Sequence, residues 1–217
     1  MLKCEKIVVG PFEVNCWVLA GTNGDAIVID PGADAEAIQR HIVRRKLRVT
    51  AYICTHGHMD HVSALAAMER MYPAPAAMHP EDARWAFTSA NSMGPDYPTP
   101  DQAAIERPIR EGSTFTDAGI TWTVIETPGH TPGGVCIHVP EALTIFTGDT
   151  LFAGSVGRTD LPGGNSRAMS ASLKRLAGLP DKPAVCPGHG PETTIAEEKR
   201  SNYFLRSPPR QDERDTL

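Results

Sequence analysis

The chain has 217 residues, of which 41% are hydrophobic and 22% charged, and its formal net charge is −5. These values are typical of a soluble globular protein and exclude a disordered or fibrous chain. One domain is therefore expected, and a pI of 5.9 with a single dense basic cluster at Arg44–Arg48 argues against a nucleic-acid partner, which usually requires a basic face.

Short β-branched segments alternate with helical patterns along the chain, which favours an α/β layered domain over a helical bundle or a pure β-sandwich. Strands are predicted at residues 5–9, 15–20, 26–29, 49–54, 76–79, 121–126, 135–139, 144–147 and 184–186, and helices at residues 34–46, 62–71, 81–89, 166–177 and 195–205. The prolines of NSMGPDYPTPD indicate a long surface loop. We expect the domain to span residues 1–205 and a flexible C-terminal tail to occupy residues 206–217.

Cysteine usage and hydropathy bear on the cellular setting. The cysteines at positions 4, 16, 54, 136 and 186 are odd in number and widely spaced, which argues against a disulfide framework or a cysteine zinc knot. No long apolar run occurs, and the N-terminal segment MLKCEKIVVG does not resemble a signal peptide. We expect a cytoplasmic protein with reduced thiols and no membrane partner, and the oligomeric state stays open.

The densest chemical signal is THGHMDH at residues 55–61, between the apolar strand AYIC and an alanine-rich helix. Alternate residues of an extended chain face the same way, so His56 and His58 can bind one ion. As the chain turns into the helix, Asp60 and His61 can face a second ion, and Gly57 supplies the backbone freedom for that turn. Three histidines and an aspartate at this spacing predict a metal site.

Three further candidate ligands each follow a predicted strand in a glycine-rich turn. They are His130 in ETPGHTPGG, Asp149 in IFTGDTLF and His189 in VCPGHGPE. Loops at strand ends are where a rigid scaffold presents catalytic groups. These residues are therefore predicted to complete the site.

The motif THGHMDH, followed by separate His, Asp and His motifs, resembles the metallo-β-lactamase superfamily. Within it, VIDPG at residues 28–32, GDTLFAGSVGRTDLPGG and PGHGPETTIAEEK are similar to the small, single-domain relatives of glyoxalase II, the hydroxyacylglutathione hydrolases. The similarity runs from about residue 5 to about residue 205. It implies a single-domain αββα sandwich, in which two mixed sheets pack face to face, helices cover the outside and the metals lie at one edge.

The resemblance also implies a centre of two divalent metal ions. One ion would be held by His56, His58 and His130 and the other by Asp60, His61 and His189, with Asp149 as the bridge. Imidazole and carboxylate ligands without thiolates suit zinc, iron or manganese, and zinc is the first expectation. Two aspartates and one hydroxide leave such a centre with a net charge of about +1, which attracts an anionic substrate.

The expected activity is metal-dependent hydrolysis of a thiolester, as in glyoxalase II. Two metals can lower the pKa of a shared water to about 7, and the resulting hydroxide can attack a carbonyl carbon without a serine or cysteine nucleophile. Asp60, the expected catalytic residue, would orient this hydroxide while it binds its metal. The expected partner is therefore a small anionic thiolester or related ester.

Residues outside the ligand set are also candidates. Asp30 closes the strand AIVID and is expected to orient a ligand imidazole, with a turn-forming aspartate as the alternative. Thr55 and Thr131 are weaker candidates for the same role. Arg158, in the turn SVGRTD, is the candidate to bind a substrate carboxylate, with a solvated arginine as the alternative.

Other functions stay open. The turn GRTD also resembles the sulfur (persulfide) dioxygenases, which would here use a single iron held by His56, His130 and Asp149. The stretch GHGPE is more similar to the hydrolases, and the complete ligand set argues against a non-catalytic, metal-stabilised module. Hydrolysis of a β-lactam is disfavoured because the chain resembles the thiolesterase branch more closely. The acyl group and the thiol stay open, as does recognition of glutathione, because few residues follow His189.

Overall fold

The computed structural model describes residues 2–206, and these form two six-stranded sheets, a small hairpin and helices on both outer faces. The first sheet contains, in spatial order, β1 (Lys3–Val9), β2 (Val14–Ala20), β3 (Asp25–Ile29), β4 (Arg48–Ile53), β5 (Ala76–Met78) and β6 (Arg107–Pro108). Strands β1 to β3 pair antiparallel, and β3 to β6 pair parallel.

The second sheet is mixed as well. Its spatial order is β14 (Thr193–Thr194), β13 (Ala184–Pro187), β10 (Thr144–Gly148), β9 (Val135–Val139), β8 (Ile120–Glu126) and β7 (Thr114–Asp117). Only the β10–β13 pair in this sheet is parallel among the described strands. The separate hairpin consists of β11 (Leu151–Phe152) and β12 (Ser155–Val156).

The helices flank the two sheets. They are α1 (Ala35–Arg45), α2 (Met59–Val62), α3 (Leu65–Met71), α4 (Pro80–Ala83), α5 (Ser166–Ala177), α6 (Ile195–Ser201) and α7 (Tyr203–Arg206), with short 3₁₀ turns at Ser89–Asn91 and Pro140–Ala142. Within residues 2–206, no helix is long and apolar enough to cross a membrane. Arg206 is the last residue of α7, and the rest of the predicted tail, residues 207–217, lies outside the described residues.

Three apolar layers hold the sandwich together. The central layer lies between the sheets, where Trp17 and Ile53 of the first sheet share a buried cluster with Trp122 and Phe146 of the second. Each such side chain contributes roughly 1.5–3 kcal/mol when it leaves water. The outer layers join α1 and α3 to the first sheet and α5 and α6 to the second. This order of layers confirms the expected αββα sandwich with two mixed sheets.

Three predicted helices are shorter than expected: the helix predicted at residues 62–71 begins only at Leu65, and those predicted at residues 81–89 and 195–205 end early. The helix predicted at residues 81–89 ends at Ala83; beyond it, the side chain of Asn91 binds the carbonyl of Ala86. The helix predicted at residues 195–205 breaks at Asn202, whose Oδ1 accepts from the amide of Phe204. The edge strands β6, β7 and β14 are only two to four residues long, too short for an alternation of apolar and polar residues to predict them.

Candidate metal centre

The first group of candidate ligands lies where β4 ends and α2 begins. His56 and His58 occupy the extended segment between them, and Asp60 and His61 lie in α2 itself. The backbone of His58 is extended, with φ −61° and ψ 145°, so the chain changes direction between the two pairs of ligands. One short motif thereby supplies side chains to two neighbouring positions.

The second sheet supplies the other three candidate ligands from its strand ends. His130 lies in the loop between β8 and β9, while Asp149 follows β10 and His189 follows β13. Because β10 and β13 are parallel, their carboxyl ends meet at the same edge of the sheet, where Gly148 pairs with Pro187. This pairing places Asp149 beside His189 although 40 residues separate them in the chain.

The candidate ligand atoms form two clusters, and a third group of His56, His61 and Asp149 joins them. In the first, His56, His58 and His130 converge, and Nδ1 of His58 lies 2.8 Å from Nε2 of His130. In the second, Nε2 of His189 lies 3.3 Å from Nε2 of His61 and 3.5 Å from Oδ2 of Asp60. The grouping is the one that the family resemblance implies.

Asp149 lies between the two clusters. Its Oδ2 atom is 3.4 Å from Nε2 of His130 in the first cluster and 3.6 Å from Nε2 of His189 in the second. Its Oδ1 atom is 3.4 Å from Nε2 of His61. A carboxylate in this position can contact both sites, as a bridging ligand does.

Two buried atoms of the centre are unsatisfied and match a metal site. Nε2 of His56 and Oδ1 of Asp149 have no hydrogen-bond partner among the described residues. A buried polar atom without a partner costs roughly 1–3 kcal/mol, so such atoms call for an explanation. Both atoms face the other ligands, and a cation in each cluster would satisfy them. The residues present therefore fit a centre of two metal ions.

The electrostatics of the first cluster suit metal ligation, whereas in the second cluster burial acts to lower the pKa of His61 but nearby carboxylates outweigh it and raise this pKa. Burial lowers the pKa of His56, and burial beside His130 lowers the pKa of His58 to about 4. Both rings are therefore neutral at pH 7, with a lone pair for a cation. Burial acts to raise the pKa of Asp60, but the nearby imidazoles of His61 and His189 outweigh it and hold this pKa below its usual value.

The second nitrogen of four ligand rings has an oxygen partner that orients the ring. The partners are Oγ1 of Thr55 for His56, Oδ2 of Asp30 for His61, the carbonyl of Arg158 for His130 and the carbonyl of Phe12 for His189. Asp30 and Thr55 thus occupy the positions that the sequence predicts. Thr131 does not; its hydroxyl donates to Asp82 instead.

Arg158 reaches the centre through its backbone rather than its side chain. Its guanidinium makes two hydrogen bonds of 2.7 Å to the carboxylate of Asp160, and both side chains are exposed. An exposed pair of this kind is weak enough to be exchanged for a substrate carboxylate. The interpretation of Arg158 as a substrate contact stays a prediction.

Several residues near the centre were not predicted. Asp82 is fully buried and binds both histidine loops. Trp85 lies edge-on to His58 with ring centroids 5.4 Å apart, and Phe152 lies 6.1 Å from the ring of His189. Asp82 and Trp85 stand in no motif that the sequence analysis singles out, and Phe152 lies within GDTLFAGSVGRTDLPGG without a predicted role, so only the contacts reveal them.

Comparison with known proteins agrees with the fold. The profile of a family described as "Metallo-beta-lactamase superfamily" matches residues 9–189. The chain is 34% identical over 211 residues to the hydroxyacylglutathione hydrolase GloC of Haemophilus influenzae, and the match covers 95% of this chain and 99% of that protein.

Two solved structures are similar over almost the whole chain. The BLEG-1 B3 metallo-beta-lactamase superposes with a TM-score of 0.89 at 34% identity, over 94% of this chain and 99% of that one. TTHA1623 in a di-iron-bound form superposes with a TM-score of 0.83 at 37% identity, over 93% of this chain and 100% of that one.

Proposed function

Because the chain belongs to the metallo-beta-lactamase superfamily, we propose that it is a dinuclear-metal hydrolase that cleaves small anionic thiolesters of the hydroxyacylglutathione type. One observation carries the proposal: seven imidazole and carboxylate side chains converge in two clusters, and Asp149 lies between them. A purely structural metal site needs one closed set of four ligands rather than two clusters that share a carboxylate.

The two clusters would hold the proposed metals, with zinc as the first candidate and iron or manganese as the others. When bound, such ions lower the pKa of a water molecule and polarise a carbonyl oxygen. The chain supplies the orientation: Asp60 is ionised, and a carboxylate oxygen there can accept a hydrogen bond from the attacking water. The oxygen partners of His56, His61, His130 and His189 hold the rings in place.

The substrate class follows from charge and from the leaving group. A centre of about +1 favours an anionic substrate, and the exposed guanidinium of Arg158 offers a partner for its carboxylate. A thiolate leaves without a strong general acid, so a thiolester requires no acidic side chain beyond those already described. The similarity to GloC along almost the full length of both chains supports this choice of thiolester.

The test pairs metal content with turnover. Protein purified without chelators is assayed by elemental analysis and for hydrolysis of S-D-lactoylglutathione. We expect about two metal ions per chain and turnover, and we expect His58→Ala to lose metal and activity while its circular dichroism is unchanged. His138→Gln is the matched control because His138 lies in β9, outside both clusters.

The alternatives give different results in the same experiment. One iron per chain, no hydrolysis and oxygen uptake with a persulfide would favour the dioxygenase. A β-lactam is the second substrate class to assay, because the BLEG-1 B3 metallo-beta-lactamase is similar in structure. Metal without turnover of any of these substrates would contradict the proposed function and favour a metal-stabilised module.

A further inference from the structure

A single buried carboxylate connects the two loops that carry the first metal cluster. Asp82 lies in α4, outside both loops, and its side chain is inaccessible to solvent. Its Oδ2 accepts from the amide of Gly57 at 2.8 Å and from the hydroxyl of Thr131 at 2.6 Å. Its Oδ1 accepts from the amide of Gly133 at 2.7 Å.

Two of the three donors to Asp82 are immediate neighbours of candidate metal ligands. Gly57 lies between His56 and His58, and Thr131 directly follows His130. The three hydrogen bonds therefore join the loop after β4 to the loop between β8 and β9, although these loops belong to different sheets. Across this connection, Nδ1 of His58 and Nε2 of His130 lie 2.8 Å apart.

The chemistry of the connection requires a carboxylate in a fixed place. Three donors need three acceptor lone pairs, and an ionised carboxylate has acceptors only, whereas an amide replaces one oxygen with a donor. The space is also closed: a Cβ at Gly133 would lie 2.7 Å from Oδ1 of Asp82, and one at Gly57 would lie 3.1 Å from Cβ of Asp82. The loops cannot shift relative to Asp82 without losing these contacts.

We propose that Asp82 is a positioning residue, which sets the separation of the His56–His58 segment and His130 and so preorganises the first metal cluster. The inference rests on the proposed metal centre, but Asp82 itself contacts no candidate ligand side chain in the structure. Residues that orient metal ligands from outside typically change metal affinity tenfold to a hundredfold when they are replaced.

The test measures zinc affinity and amide exchange in Asp82→Asn. We expect competition titrations with a chromogenic chelator to show one of the two zinc sites weakened by about ten- to a hundredfold. In the metal-free chain, the amides of Gly57 and Gly133 should exchange faster than in wild type, because their shared acceptor is impaired. Asp117→Asn is the matched control, since Asp117 is also buried and accepts from Arg107 and Trp122 far along the second sheet at β7.

Several outcomes would overturn the proposal. A folded Asp82→Asn chain with wild-type zinc affinity and wild-type amide protection would do so, as would an equal loss of zinc in Asp117→Asn, which would indicate general destabilisation. If Asp82→Asn does not fold, Thr131→Val decides, because it removes one of the three bonds and should weaken one zinc site by about two- to tenfold. If the wild-type chain binds no zinc, the proposed function is contradicted. The amide exchange of Gly57 and Gly133 in the variants then tests separately whether Asp82 holds the two loops together.

Discussion

Asp30 and His61 are hydrogen-bonded in the interior of the protein, with Oδ2 of the carboxylate 3.1 Å from Nδ1 of the ring. The same carboxylate accepts from the amide and the hydroxyl of Thr55, each at 2.7 Å. Asp30 thus joins the end of β3, the end of β4 and the ring of a candidate ligand in α2. An imidazole held in this way presents its other nitrogen to the metal in a fixed direction.

Asp30→Asn should weaken metal binding at the second cluster by about ten- to a hundredfold. Asp30 has a positive φ of 51°, a conformation that asparagine adopts as readily as aspartate, so the backbone should be retained. Zinc titration measures the effect. Asp34→Asn is the control, because Asp34 also has a positive φ and accepts from a backbone amide but lies outside the centre. Equal zinc binding in both variants would contradict the role of Asp30.

Gly188→Ala should displace Asp149 and reduce the metal content below two ions per chain. A Cβ at this position would lie 2.3 Å from Oδ1 of Asp149 and 2.7 Å from Cε1 of His61. In Gly190→Ala the new methyl group meets no atom within 4 Å, and only the positive φ of 74° is unfavourable. The control should therefore lose about 1 kcal/mol of stability and keep its metals. Elemental analysis and thermal unfolding distinguish the two results; metal loss in both variants would refute the steric argument.

Arg158→Gln should raise the KM for an anionic thiolester by about fivefold and leave kcat within about twofold, as expected for the loss of one exposed ionic contact. Steady-state kinetics with S-D-lactoylglutathione provide the measurement. Arg84→Gln is the control, because Arg84 also forms an exposed ion pair, with Glu81 in α4. An unchanged KM in Arg158→Gln would show that this arginine does not contact the substrate.

Thiol labelling at pH 8 should modify Cys4 quickly and the other four cysteines slowly. Cys4 is exposed, whereas the others are buried. Burial raises the pKa of Cys136 to about 12, and it also raises the pKa of Cys16 and Cys54. Labelling requires the thiolate, and a thiol with a pKa of 12 is ionised in only about one molecule in ten thousand at pH 8.

Mass spectrometry after brief treatment with iodoacetamide locates the label, and Cys4→Ser should abolish the fast reaction. Because the proposed mechanism uses no thiol nucleophile, turnover should survive the labelling. Loss of hydrolysis in step with modification of Cys4 would contradict that mechanism.

The sequence alone was sufficient to predict the layered fold and to name the residues that the structure brings together at the candidate metal centre. Strands β2, β3, β8 and β9 are long and apolar, and the ligand motifs stand at their ends or at those of neighbouring strands, where a change from apolar to glycine-rich sequence is visible. Spacing within THGHMDH is a local property of extended chain and helix, so it could be interpreted without a structure.

Only the tertiary structure showed that Asp82 connects two histidine loops and that the side chain of Arg158 is paired with Asp160. The Asp82 connection joins loops from different sheets through hydrogen bonds rather than through a local pattern. An aspartate in a short helix looks the same in sequence whether it faces solvent or accepts three buried hydrogen bonds. The packing of the two sheets decides between these environments. Both the burial of the carboxylate and the donors that satisfy its oxygens exist only in the folded chain.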